Sequence, residues 1–120
     1  MQLSELPERL KQHQLWLRSG RKEGKRAVLT AETLNDADFG DANLTDADFQ
    51  RAELRGANFG RAVLLRTNLR EADLRNANLE ETNFLSSAQL AGANVASAKL
   101  PEAIAGFESP RSKGHPPARR

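Results

Sequence analysis

The side chains able to do chemistry here are two histidines, sixteen carboxylates and eighteen Lys/Arg, with no cysteine among 120 residues. His13 and His115 stand at opposite ends of the chain, so no nucleophile–base pair built on histidine is expected, and each reads as a surface residue. The Asp and Glu residues fall on the outside of a ribbed pattern that offers no cleft to desolvate a pair, which argues against paired-carboxylate hydrolysis. No Gly-x-Gly-x-x-Gly or Gly-Lys-Ser/Thr phosphate loop occurs, and no calcium-binding nonapeptide. Without cysteine there is neither a disulfide nor a thiolate metal site. The reading is therefore no enzyme, no cofactor and no metal. What remains is a series of cations along the body: Arg51, Arg55, Arg61, Arg66, Arg70 and Arg75. These six form the candidate interaction surface. They read first as a solvated, ion-paired face and second as a binding patch.

The elements that carry these side chains follow from a five-residue period. Leu or Phe recurs at Leu29, Leu34, Phe39, Leu44, Phe49, Leu54, Phe59, Leu64, Leu69, Leu74, Leu79 and Phe84. A helix repeats at about 3.6 residues and a strand at 2, so a period of five announces a repeat architecture. Two residues before most centres stands Ala, with Thr67, Thr82 and Glu32 as exceptions. Residues two apart in an extended segment face the same way, so this position and the centre point inward. Asp or Asn commonly precedes the centre and faces outward, while the two residues after it make the bend. The spacing slips once, with six steps from Phe84 to Leu90, and resumes at Val95 and Leu100. One residue bulging outward there would let the inward columns recover.

The two ends differ from this body in charge. Residues 1–26 carry seven Lys/Arg against three Glu, residues 27–105 seven against twelve acids, and residues 106–120 four against one. Leu3 to Ser19 reads as a helix that Ser4 caps and Gly20 stops. Terminal repeats need caps, and Trp16 is expected to cover the open end of the stack. Pro101 to Phe107 should close the far end, with Ile104 and Phe107 over the last rung, and 106–120 reads as a disordered basic tail. The domain reading is thus 1–26 helical cap and charged turn, 27–105 repeats, 106–120 tail. No basic-then-apolar leader and no apolar run long enough to span a membrane is present, so a cytoplasmic location is expected.

Ala37-Asp38-Phe39, Ala42-Asn43-Leu44, Ala47-Asp48-Phe49, Ala57-Asn58-Phe59, Ala72-Asp73-Leu74 and Ala77-Asn78-Leu79 resemble the pentapeptide repeat family over about residues 27–100. The stretch His13 to Gly20 resembles, more loosely, a segment preceding such repeats in bacterial proteins. The resemblance implies an all-β solenoid: a right-handed, quadrilateral β-helix, four repeats to a coil, here with an N-terminal α-helical cap. It also implies a non-enzymatic scaffold or protein–protein interaction module. The partner is then another protein rather than nucleic acid, and an end-to-end homodimer through Ile104 and Phe107 is a further expectation. The alternative is a DNA-mimicking topoisomerase (gyrase) modulator. Members of that kind are strongly acidic rods that dimerise, and the six body arginines weigh against it.

If four repeats close a coil, residues 20 apart stack about 4.8 Å apart. Asp41, Arg61 and Glu81 then alternate in sign, Arg51 lies over Glu71, and Asp46 under Arg66. Arg55 and Arg75 meet as like charges. Glu32, where a small inward residue belongs, predicts an irregular first coil. Phe59→Asp should unfold the middle coil, whereas outward Asn58→Asp should matter little.

Overall fold

The computed structural model describes residues 1–104; Phe107 and the expected tail lie outside the described residues. Within 27–83 the backbone returns one rung higher every twenty residues. Parallel bridges join Val28 to Asp48, Asp48 to Asn68, Asp38 to Asn58 and Asn58 to Asn78. Each bridge is a single residue pair, so the β character is confined to one short rung per side and no longer strand develops. The ladder alternates direction in a fixed way. The Phe39 N–H donates to Asn58 O at 2.7 Å, and the Asn58 N–H returns to Ala37 O at 2.9 Å.

The corner has a specific conformational cause. The residue two after each centre takes a left-handed φ: 64° at Asp36, 63° at Asp41, 66° at Asp46, 61° at Arg61 and 61° at Glu71. The N–H one further on closes the turn onto the centre's carbonyl, as Ala37 does to Leu34 at 3.2 Å. A positive φ at the third turn position is what type II turns require, and it strains any residue with a Cβ. Gly56 fills one such corner at φ 69°, and a Cβ there would lie 2.3 Å from Asp36 Oδ1. Where Asp or Asn precedes the centre, it compensates elsewhere in the same turn. Its Oδ1 accepts the N–H one after the centre, which the ladder leaves unused: Asp38 from Gly40 at 2.9 Å, Asn58 from Gly60 at 2.9 Å, Asn78 from Glu80 at 3.0 Å. This Asx turn explains why that outward position is Asp or Asn rather than any polar residue.

The inward positions fill the shaft. Leu34, Leu54 and Leu74 are wholly buried, as are Ala57, Ala62 and Ala77. Phe39 and Phe59 stack at 4.8 Å between centroids, and Phe49 meets both edge-on at 5.2 and 5.7 Å. Thr67 is buried where Ala usually stands, and its hydroxyl donates to Leu44 O at 2.7 Å. Glu32 does not distort the first coil as expected. The Thr33–Glu53 bridge forms normally, and Glu32 sends its carboxylate to the Met1 amino group at 2.9 Å. Standing in the first coil, its long side chain can leave past the end of the stack instead of colliding with a rung below.

Helix α1 spans Leu6–Arg18 and follows a 3-10 turn over Leu3–Glu5. Ser4 therefore lies inside that turn and does not cap the helix. Gly20, at φ 71°, ends it as expected. Two further expectations are corrected. Leu6 and Leu10, not Trp16, pack on the core, while Trp16 stands beside the mouth of the shaft. His13 is no surface residue but fully buried. Its Nδ1 accepts the Ala27 N–H at 2.9 Å, so its Nε2–H donates to Thr45 O at 3.0 Å. Side chains of the cap also occupy carbonyls that the first coil would otherwise leave bare. Arg9 donates to Val28 O at 2.9 Å, Gln14 to Asn43 O at 2.9 Å and Arg26 to Asp46 O at 3.0 Å. The cap thus satisfies the polar edge of the stack as well as its apolar mouth.

At the slip, Phe84 does not continue the inward Leu44–Leu64 column. It takes a φ of 67° and turns outward, 65% exposed, and Leu85 packs against the core instead. A 3-10 turn over Ser87–Leu90 absorbs the extra residue, after which Asp73 pairs with Asn94 and Asn78 with Lys99. Gln89 holds this break together. Its Nε2 donates to Leu64 O at 2.6 Å and Thr67 O at 2.9 Å, while its Oε1 accepts the Ser86 N–H at 2.7 Å. The Ser86 hydroxyl donates to the same Oε1 at 3.2 Å, and Gln89→Leu keeps the size and removes all four bonds. It should lower stability by about 1–3 kcal/mol in urea unfolding, and an unchanged midpoint would show that the turn holds without it. Beyond the slip, Ile104 packs on the core from a short 3-10 turn over Glu102–Ile104, closing the described end as expected.

Candidate functional site

The six arginines stand on outer faces, but the coil distributes them around the stack rather than in one row. Arg51, Arg55 and Arg75 line one open depression together with Glu53, Glu71 and Asp73. Arg66 and Arg70 line another, next to Gln89. Arg61 stands apart from both on a different side.

The expected vertical pairing is present. Arg61 Nε and Nη2 donate to the two Asp41 oxygens at 2.8 and 2.9 Å, a bidentate pair one coil apart. Arg66 grips Asp46 the same way at 2.8 and 3.0 Å. Arg51 meets Glu71 at 3.6 Å. The expected clash of Arg55 with Arg75 is relieved by Asp73. That carboxylate binds Arg75 at 2.7 and 2.9 Å and lies 3.9 Å from Arg55. Arg70 has no side-chain partner among the described residues.

These contacts set the local electrostatics. The hydrogen bond from Arg66 holds the Asp46 carboxyl below the ordinary range, and Arg61 and Arg75 do the same for Asp41 and Asp73. The carboxylates in turn hold the three guanidiniums firmly protonated. Burial lowers the pKa of His13, with the nearby Arg26 adding to the effect. Among the described residues, no group of three His, Asp or Glu is placed to hold a metal ion. Asp41 and Glu71 are open to water, whereas Asp46 and Asp73 are largely covered, with 17% and 22% of their side-chain surface exposed.

Sequence reasoning missed one cluster. Arg21 lies over the Trp16 ring at 4.9 Å, Trp16 stacks on His13 at 5.5 Å, and Arg21 also pairs with Asp46. The order of the cap relative to the coils brings these together, and only the basic run Arg21 to Arg26 hinted at it.

The profile of the pentapeptide repeats matches residues 25–61 and 47–84, in eight copies. The chain belongs to the pentapeptide repeat family. Membership brings with it a β-helix solenoid, and the twenty-residue parallel ladder is the local form that this chain gives it. This pentapeptide repeat protein is similar to one from Nostoc Pcc 7120, solved at 1.7 Å, with 24% identity over 82% of this chain and 86% of that one, at a TM-score of 0.26. No curated protein matches. Among the described residues, no helix is long and apolar enough to cross a membrane.

Proposed function

We propose that this protein is a non-enzymatic scaffold that binds another protein through the charged outer faces of its coils. The observation that carries this reading is the placement of the arginines. Arg61, Arg66 and Arg75 are each gripped by two carboxylate oxygens at 2.7 to 3.0 Å, which orients them before any partner arrives, while Arg51 and Arg55 lie more loosely at 3.6 and 3.9 Å from theirs. A partner meeting the gripped groups has little side-chain freedom left to quench. The solenoid of this reading is the right-handed, four-sided β-helix, and its setting is the bacterial cytoplasm.

The DNA-mimic alternative finds less support. A phosphate mimic needs unneutralised carboxylates, whereas Asp41, Asp46 and Asp73 are each engaged by arginine. The test is capture from a lysate of the native host by wild type and by a variant carrying Arg51→Ala, Arg55→Ala and Arg75→Ala. A partner retained by the wild type and lost by the variant supports the reading. Equal retention removes that depression from it, and inhibition of supercoiling at low micromolar protein would install the alternative.

A further inference from the structure

Two open depressions adjoin across Arg66 and Asn68 and make one continuous groove. The lower part is lined by Trp16, Arg21, Arg26, Asp46 and Asp48, and the upper part by Arg70 and Gln89. It runs from the helical cap, across the coils, to the slip. Its charge differs from that of the depression beside Arg55. There, three arginines face three carboxylates and balance. Here Arg21, Arg26, Arg66 and Arg70 face only Asp46 and Asp48, leaving two positive charges in surplus.

The surplus has an address. Asp46 is shared by Arg21 and Arg66, so one carboxylate serves two guanidiniums. Asp48 accepts the Gln50 N–H at 2.9 Å and pairs with no cation among the described residues. Arg26 uses one nitrogen on the Asp46 carbonyl at 3.0 Å and meets no carboxylate among the described residues. Arg70 meets none either and is exposed. Two guanidiniums, one toward each end of the groove, therefore retain donors in the fork geometry that suits a carboxylate.

We propose that this groove binds an acidic, extended peptide segment of a partner protein, with Arg26 and Arg70 as its two carboxylate anchors and the Trp16 edge as its apolar contact. The proposal rests on the scaffold reading and gives the partner a chemical class. An extended segment of about eight residues, at about 3.3 Å each, is long enough to cross the coils between the anchors. Nucleic acid fits less well. Asp46 and Asp48 within the groove oppose an unbroken row of phosphates, and the single aromatic ring already carries Arg21 on one face and His13 against it, which leaves no platform for bases. The chain's own residues 106–120 are basic in excess and carry the wrong sign.

Trp16 is the single tryptophan, so its emission reports on this groove alone. The probe is a fluorescein-labelled peptide of about eight residues rich in Glu, titrated into the full chain at low salt and followed by anisotropy, with an unlabelled copy followed by Trp16 emission. Saturable binding that shifts the emission and weakens as salt is raised is expected. Arg26→Glu and Arg70→Glu should each weaken it about tenfold or more, while Lys99→Glu, exposed on the Asn58–Asn78 side and outside the groove, should leave it within about twofold. The Arg70 side chain makes no hydrogen bond or ion pair among the described residues, so Arg70→Glu tests the site even if Arg26→Glu disturbs the cap. Absence of saturation up to about 100 μM peptide overturns the proposal, as does equal weakening by Lys99→Glu. Tighter binding of a single-stranded oligonucleotide of equal charge would overturn it in favour of nucleic acid. If the peptide fails while wild-type protein still captures a partner from lysate, the groove is wrong and the scaffold reading stands.

Discussion

Phe59→Asp is expected to abolish the cooperative thermal transition. Phe59 is fully buried, stacked on Phe39 at 4.8 Å and edge-on to Phe49 at 5.7 Å. Removing the ring alone would cost about 3–5 kcal/mol, and a carboxylate in its place adds an unpaired buried charge. Together these rival the whole stability of a small domain, about 5–15 kcal/mol. Phe59→Leu is the companion variant, since Leu79 holds the same position one coil above. It should melt cooperatively, with a loss near the worth of the aromatic contacts, about 0.5–1.5 kcal/mol each, and of the ring volume. The outward control also changes in light of the structure. Asn58 is not idle: its Nδ2 donates to Asp38 at 3.0 Å, and its Oδ1 accepts Gly60 N–H and Asn78 Nδ2 at 2.9 and 3.2 Å. Asn58→Asp would set two carboxylates together and should lower the melting temperature measurably. Glu80→Gln, on an exposed side chain, is the variant expected to do nothing. A folded Phe59→Asp protein in a thermal melt would end the inward assignment.

The second large effect lies at His13. Both ring nitrogens are engaged, Nδ1 as acceptor and Nε2 as donor, in a site with no exposed surface. His13→Phe fills the space but strands the Ala27 N–H and the Thr45 carbonyl, at about 1–3 kcal/mol for each group left without a partner. Protonation does related damage, because a proton on Nδ1 would point at the Ala27 N–H. Burial accordingly lowers the pKa, as does Arg26, while the bond to Thr45 and the Asp46 carboxylate oppose the shift. The folded state therefore binds fewer protons than the unfolded chain. Stability is complete above the ordinary value of 6.5 and is lost as pH falls below it toward the lowered folded value. The depressed carboxyls of Asp46 and Asp73 act in the same direction, but their loss starts only near the ordinary value of 3.8. Urea unfolding of wild type between about pH 7.5 and 5 should thus show a decline that His13→Phe lacks. Parallel pH profiles for the two proteins would remove His13 as the cause.

Much of the body was legible because its causes are local and repeat. Leu54 and Leu74 are inward for the same reason as Leu34, and the twenty-residue offset that puts Arg61 over Asp41 is arithmetic once four repeats make a coil. Three features were not legible. The role of Asp38, Asn58 and Asn78 as turn caps depends on which N–H the ladder leaves free, which the spacing alone does not say. At the slip, the count from Phe84 to Leu90 shows an extra residue but not which one leaves the column. Leu85 packs inward and Phe84 turns out, with Gln89 bonding across the break. The candidate surface was legible as a list of arginines and not as a shape, because winding spreads Arg51, Arg61 and Arg66 onto different sides.

The amino-acid sequence by itself determined the five-residue repeat and its apolar shaft, since each depends only on side-chain type at fixed spacing; the sign of most vertical charge pairs followed only with the four repeats to a coil that the family resemblance implied. Tertiary structure alone decided how the ends meet that shaft. His13 is a buried bridge rather than a surface residue because α1 lies across the mouth of the first coil, where Ala27 and Thr45 wait fourteen and thirty-two residues away. Contacts between a helix and a coil have no period, so nothing in the spacing announces them. The groove that joins Arg26 to Arg70 exists for the same reason.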